Sequence, residues 1–268
     1  SHGLRPRKRL GQNFLVDPSA LERIVAAADL SGTDFVVEVG AGVGTLTRSL
    51  AGRAGQVAAI ELDDKLVAIL RQELADLPNV QIIHGDVLKL PDLGLSHHGY
   101  KVVANLPYYI TSLVLRRFLE PEPCPSLMVV TVQREVAQRI VAKPGKMSLL
   151  AVSVQFYGQP RIVASIPAGA FYPSPQVDSA VLRIDVGERP TVALDEGVDE
   201  AVFFRVVRAG FSQKRKTLRN SLSAGLALTP ALVEEALGQA DLDPRRRAQT
   251  LSLAEWARAS EVLTRAMG

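Results

Sequence analysis

Phe35-Val36-Val37-Glu38-Val39-Gly40-Ala41-Gly42-Val43-Gly44-Thr45-Leu46 reads as a buried strand that runs into a glycine-rich turn and then a helix. Gly40 and Gly42 in such a turn let a ligand approach the backbone closely. A dinucleotide fingerprint would be G-x-G-x-x-G/A, but Thr45 stands at its last place, which points to a nucleoside ligand without a pyrophosphate. Outward from this stretch, Gln56–Ile60 is a second strand ending in Glu61, seventeen residues after Gly44, where a carboxylate can grip ribose hydroxyls bidentately. Val80–Ile83 is a third strand, ending in His84-Gly85-Asp86, with Asp86 placed to accept from an adenine amino group. Lys101–Ala104 is a fourth and Ser126–Val132 a fifth, with helical segments over Leu62–Leu77 and Thr111–Leu119. Strands alternating with helices, each strand ending in a polar or glycine residue, predict an α/β, Rossmann-like, doubly wound parallel sheet with its ligands at the C-terminal edge.

The fourth strand ends in Asn105-Leu106-Pro107-Tyr108. This pattern suits methylation of an exocyclic amine. The Asn105 side-chain oxygen and the Leu106 carbonyl can accept from an NH2 group and hold its lone pair towards an electrophile. Pro107 lacks an N–H and fixes its own φ, which holds a carbonyl outward, and Tyr108 offers a flat face for an extruded base. Four residues alone also suit a strand ending in a proline turn. A glycine-rich turn, Glu61, Asp86 and Asn105 at successive strand ends outweigh that reading.

The chain has 268 residues, 47% hydrophobic and 22% charged, enough for one large and one smaller domain. No run of about 18 apolar residues occurs and no signal peptide is read at the start, so no membrane association is expected. A single Cys124 excludes an internal disulfide and suits a reducing, cytoplasmic setting. The four histidines lack metal-ligand spacing, so no metal is expected. Net charge is only +3, yet Arg5, Arg7, Lys8 and Arg9 crowd the N-terminus, and Arg205–Arg219 holds six basic residues, Arg208, Lys214, Arg215, Lys216 and Arg219 among them, and no acid. Clustered cations of this kind neutralise phosphates, though a charge run can also be a plain solvated face.

Asp17-Pro18 reads as N-cap and first turn of an amphipathic helix following the basic arm and Gly11-Gln12-Asn13-Phe14-Leu15. Leu149–Tyr157, Arg161–Ile166 and Ser179–Val186 read as antiparallel strands completing the sheet. Between them, Phe171-Tyr172-Pro173-Ser174-Pro175 supplies either core plugs or a second stacking face, for which Phe171 is the choice. After the linker Gly187–Pro190, helical periodicity over Val202–Gly210, Lys214–Ala224, Pro230–Gln239 and Leu253–Met267 predicts a C-terminal helical domain, with Arg245-Arg246-Arg247 as a further basic patch. The expected domains are 1–187, catalytic, and 188–268, a nucleic-acid clamp.

Taken together, Gly11–Leu15, Glu38–Gly44, Asn105–Tyr108, Phe171–Pro175 and Lys214-Arg215-Lys216-Thr217-Leu218 resemble the KsgA family, the small-subunit ribosomal RNA adenine dimethyltransferases, over nearly the whole chain. The resemblance implies an S-adenosylmethionine-dependent enzyme that places two methyl groups on each of two adjacent adenines in the 3′-terminal hairpin loop of small-subunit ribosomal RNA, late in subunit assembly. It further implies that Asn13 and Leu15 line the cofactor pocket, Gly40 meets the methionine moiety, Glu61 holds the ribose, Asp86 the cofactor adenine, and Asn105 spans cofactor and target. The small ribosomal subunit is the expected partner and a monomer the expected state. Rival readings are the related large-subunit resistance methyltransferase, which shares the cofactor site, a DNA amino-methyltransferase, which shares only the Asn105–Tyr108 logic, and an assembly factor that keeps the fold without catalysis.

Overall fold

The computed structural model describes residues 12–90, 99–187 and 190–267. In chain order the first elements are β1 (Phe14–Leu15), α1 (Pro18–Ala27), β2 (Phe35–Val39), α2 (Thr45–Ala51), β3 (Gln56–Glu61), α3 (Asp64–Glu73), β4 (Val80–His84), β5 (Lys101–Asn105), α4 (Thr111–Leu119), β6 (Leu127–Gln133) and α5 (Arg134–Ile140). They are followed by α6 (Leu149–Tyr157), β7 (Gln159–Ile166), β8 (Phe171–Tyr172), β9 (Ser179–Asp185), α7 (Glu200–Phe211), α8 (Leu218–Leu226), α9 (Pro230–Gln239) and α10 (Leu253–Met267).

Seven strands form one sheet in the order β4-β3-β2-β5-β6-β9-β7. The first five are parallel to their neighbours, while β9 runs antiparallel to both β6 and β7. Apolar runs such as Val36-Val37 and Val102-Val103-Ala104 are buried, the pattern of parallel strands covered on both faces. Val36, Val57, Val103, Val129 and Val181 share a core with Ile24, Leu46 and Leu50 from α1 and α2. The order of strands reverses between β2 and β5, and at such a switch point the connections leave in opposite directions and open a crevice. Because Val39 pairs with Ala104, the glycine-rich turn and Asn105 emerge side by side there.

Contacts divide the described residues into two compact units. One takes the chain up to Gln138 together with Gln159–Gly187; the other takes Arg139–Gly158 and the residues from 190 onward. The expected division at 187/188 therefore differs over 139–158, because Leu149–Tyr157 is the helix α6 and not a strand. Ser148 caps it, its Oγ accepting from the Ala151 N–H at 3.1 Å. Val152, Ser153, Val154, Gln155 and Phe156 alternate apolar and polar residues as a half-buried strand does, which is why the local pattern misleads here. Phe156 of α6 stacks on Phe203 at 4.6 Å and meets Phe204 edge-on at 5.0 Å. In the same unit a Cβ on Gly210 would lie 2.3 Å from the buried Trp256 ring, so the α7–α10 crossing needs glycine despite its helical cost.

Helix α8 also starts later than Lys214. Lys214–Lys216 belong to a turn, with the Lys216 N–H donating to the Gln213 carbonyl at 3.0 Å, and Thr217 is the extended residue before the helix. Three consecutive cations inside a first turn would oppose the positive end of the helix dipole. Among the described residues no helix is long and apolar enough to cross a membrane.

Candidate active site

At the switch point the strand ends enclose a cleft of about 860 Å³ up to its open mouth. It is lined by Asn13, Gly40, Gly42, Glu61, Asp86, Asn105, Leu106, Tyr108 and Phe171 of the expected residues. The same cleft is lined by Gln12 and Phe14 of the Gly11–Leu15 motif and by Val39, Ile60, Leu62, Val87 and Tyr109, to which the sequence reading gave no role in the site.

The turn after β2 holds Gly42 at φ +63, a left-handed conformation, where an added Cβ would stand 3.3 Å from the Phe14 ring. Glu61 fixes this turn. Its Oε2 accepts from the Gly42 N–H at 2.8 Å, and its Oε1 accepts from Leu62 N–H at 2.8 Å and Asp63 N–H at 2.9 Å. A carboxylate offers roughly four lone-pair directions, so a ribose gripped by Glu61 has to share it with the backbone. Burial pushes the Glu61 carboxyl above the usual carboxylate range, against the pull of those three N–H groups. Glu38, one strand residue before the turn, is 1% exposed and neither of its oxygens makes a hydrogen bond. Burial raises its carboxyl to about 8, with Glu61 adding to the rise. The nearby Thr47 hydroxyl eases this slightly without reaching hydrogen-bond geometry. Glu38 is therefore protonated and neutral at pH 7.

Asn105 ends β5, and its Nδ2 donates to the Asn13 carbonyl at 3.1 Å. That bond commits the amide nitrogen and leaves the side-chain oxygen as the acceptor for an incoming amine. The Leu106 N–H donates to the Thr131 carbonyl at 3.3 Å, and Pro107 turns the chain at φ −56, ψ 131. Tyr108, half-buried, shares a hydrogen bond with Ser179 Oγ at 2.8 Å. Burial raises its phenol, so the ring stays neutral. Ser179, 0% exposed at the start of β9, is a positioning residue that the sequence concealed. Asp86 Oδ1 accepts from the Leu88 N–H at 3.0 Å.

The N-terminal segment forms one wall. β1 pairs antiparallel with β8, Phe14 opposite Tyr172 and Leu15 opposite Phe171, and the Val16 N–H donates to the Ala170 carbonyl at 2.9 Å. Gln12 Nε2 reaches Asp63 Oδ2 at 3.3 Å. Alternation along β1 sends Phe14 to the cleft and Leu15 into the core with Ile24, Ile166 and Phe171. Leu15 thus supports the wall from behind and does not line it. Phe171 touches the cleft but is only 4% exposed. A nucleoside cofactor fits this set: aliphatic Val39, Ile60, Leu62 and Val87 can sandwich a flat heterocycle, and Glu61 and Asp86 can meet its hydroxyl and amino groups. Among the described residues no group of three His, Cys, Asp or Glu is arranged to hold a metal.

In the helical unit, Arg208, Lys214, Arg215 and Lys216 are exposed. Arg219 is engaged with Glu234 at 3.0 Å. Leu218 N–H donates to the Arg246 carbonyl at 2.7 Å and Arg219 N–H to the Pro244 carbonyl at 3.1 Å, which draws the Arg245–Arg247 segment beside this turn. Arg246 itself is structural, bound to Glu255 at 2.5 Å and holding that carboxyl down at about 2. Arg7, Lys8 and Arg9 lie outside the described residues.

A family model described as ribosomal RNA adenine dimethylase matches residues 3–264. A protein from Dehalococcoides mccartyi named ribosomal RNA small subunit methyltransferase A is 52% identical over 255 residues, covering 94% of this chain and 87% of its own. A protein of the same name from Moorella thermoacetica is 45% identical over 273 residues, covering 97% of this chain and 93% of its own. Among solved structures, a dimethyladenosine transferase from Plasmodium falciparum superposes with a TM-score of 0.80 at 22% identity, over 92% of this chain and 95% of that one, a likeness of fold. The 23S rRNA methyltransferase ErmE superposes at 0.73 with 29% identity, over 94% of this chain and 99% of that one.

Proposed function

The chain belongs to the ribosomal RNA adenine dimethylase family, and from that premise we propose that it methylates small-subunit ribosomal RNA, using S-adenosylmethionine to dimethylate the exocyclic amines of two adjacent adenines in the 3′-terminal hairpin loop. The observation that carries this reading is Asn105, whose amide nitrogen is committed to the Asn13 carbonyl beside the Gly40 turn. Its side-chain oxygen is left to accept from an amine.

When bound, S-adenosylmethionine supplies an already electrophilic methyl group, so no general base is needed before attack. The protein's work is positioning. Asn105 and the Leu106 carbonyl accept from the target amine and favour the pyramidal nitrogen that attacks, an electrostatic contribution fixed before the reaction begins. Tyr108, its hydroxyl tied to Ser179, presents a ring against which the extruded adenine stacks. Holding the reactants in line contributes up to roughly 7–11 kcal/mol in favourable cases. In the second methylation the amine has one hydrogen fewer, so one of the two acceptors faces a methyl group. Asn13, Gly40, Gly42, Glu61 and Asp86 hold the cofactor. Arg7, Lys8, Arg9, Arg208, Lys214, Arg215 and Lys216 meet RNA phosphates, and the protein acts as a monomer on small subunits in the cytoplasm.

The test is transfer of labelled methyl from S-adenosylmethionine to undermethylated small subunits, with large subunits and duplex DNA in parallel. Label confined to small subunits supports the reading. Label in large subunits assigns the chain a large-subunit target, and tight subunit binding without label makes it an assembly factor.

A further inference from the structure

The dipeptide Phe171-Tyr172 splits its rings between two environments: Phe171 is 4% exposed and Tyr172 is 63% exposed. The ribbon of β1 and β8 explains the split. Directly opposed residues of an antiparallel pair lie on the same face. Leu15 and Phe171 therefore share the core face, whereas Tyr172 shares the other face with Phe14, whose side chain lines the cleft. Tyr172 thus stands beside the cleft with most of its surface in solvent.

Tyr172 pairs with Phe14 across the ribbon, and the residues just before it are tied down. Val16 N–H and Asp17 N–H both donate to the Ala170 carbonyl, at 2.9 and 3.3 Å, Ser174 Oγ donates to the Ala168 carbonyl at 2.9 Å, and Asp178 Oδ1 accepts from the Ala168 N–H at 3.1 Å. A large ring kept out of the core on a rigid support loses little entropy when something stacks on it. The cleft beside it is read above as the seat of one extruded adenine, and single-stranded RNA is gripped by stacking successive bases on aromatic side chains.

We infer that Tyr172 is a stacking platform for the unpaired base next to the adenine being methylated, so that the protein holds two consecutive nucleotides, one in the cleft and one at its mouth. Phe171, with little free surface, serves as the wall between them. This inference rests on the RNA methylation proposed above and adds a second nucleotide subsite to it.

The experiment compares wild type, Tyr172→Ala and Tyr172→Phe on undermethylated small subunits, with calorimetric titration of S-adenosylmethionine as a control for folding and the cofactor site. Stacking of one base predicts that Tyr172→Ala raises KM for the RNA roughly 5- to 150-fold. It leaves kcat and cofactor affinity within about twofold. Tyr172→Phe keeps the wild-type KM, since the ring and not the hydroxyl stacks. A short hairpin carrying 2-aminopurine beside the target adenine gives a readout independent of turnover: its fluorescence is quenched by wild type and by Tyr172→Phe, and brightens with Tyr172→Ala. An unchanged KM and unchanged quenching in Tyr172→Ala overturn the inference while leaving the methylation reading standing, as does a loss in Tyr172→Phe equal to that in Tyr172→Ala. Wild type that methylates no RNA overturns the underlying reading itself.

Discussion

At the sheet edge Asn105, Tyr108 and Glu61 are each held by a hydrogen bond to a segment 92, 71 and 19 residues away. In the helical unit Lys214, Arg215 and Lys216 stand exposed in a turn, with no ion pair among the described residues. Chemistry that depends on direction needs side chains fixed in advance, since a misplaced acceptor forfeits most of its effect. Phosphate neutralisation needs only charge within reach, so exposed cations without an ion-pair partner serve it. Substitutions at the edge should therefore act on turnover, and substitutions in the basic turn on affinity and its salt dependence.

The largest effect expected is that of Asn105→Ala, which removes one acceptor for the amine. Single-turnover transfer should fall roughly 100- to 1,000-fold, about 2.7–4 kcal/mol. Cofactor binding by titration should persist in part. Near-normal turnover would break the contrast at once. On the other side, replacing Lys214, Arg215 and Lys216 together by Ala should lower the slope of log affinity against log salt by about 2–3, at roughly 0.7–0.9 per phosphate contact. RNA affinity should weaken tenfold or more, with kcat at saturating RNA retained. A fall in kcat with an unchanged slope would remove the division of labour.

Glu38 sharpens the comparison from the stability side. Its carboxyl sits at about 8 in the folded protein against 4.5 in an ordinary setting. Between those values the folded chain keeps a proton that the unfolded chain has lost. The stabilisation is thus fully present below pH 4.5 and is lost as pH rises through about 8, at up to ~1.4 kcal/mol per pH unit. Denaturant titrations from pH 5 to 8 should show this decline, and Glu38→Gln should flatten it; equal slopes in both proteins would reject a buried neutral Glu38. Tyr108→Phe gives the smallest change, since the ring remains and only the bond to Ser179 is lost. About 1 kcal/mol is expected. Ser179→Ala should match it, and the double variant should add little to either.

How far each region could be read from the sequence follows the same division. The strand ends, the glycine-rich turn and the fold class were legible because buried parallel strands write continuous apolar runs and their C-terminal residues break them. Helix α1 announced itself through Asp17, whose side chain caps the Ser19 N–H at 2.8 Å, and Pro18 at the first turn. The two-residue strands β1 and β8 carry no periodicity, so the wall they build and the placing of Leu15 behind it were hidden. The bonds from Asn105 to Asn13 and from Tyr108 to Ser179 were hidden too, because chain topology rather than local pattern brings those partners together. Helix α6 was misread as a strand for the opposite reason: its local pattern, with Ser153 and Gln155 between Val152, Val154 and Phe156, alternates as a strand does, and its capping Ser148 was the one local signal of helix.

The measurement that bears most directly on the central claim is nucleoside analysis of undermethylated small subunits through the course of methyl transfer. The account predicts that monomethyladenosine rises and gives way to dimethyladenosine on the same subunits, with none in large subunits. Label that stops at the monomethyl stage, or appears in large subunits or not at all, would contradict it.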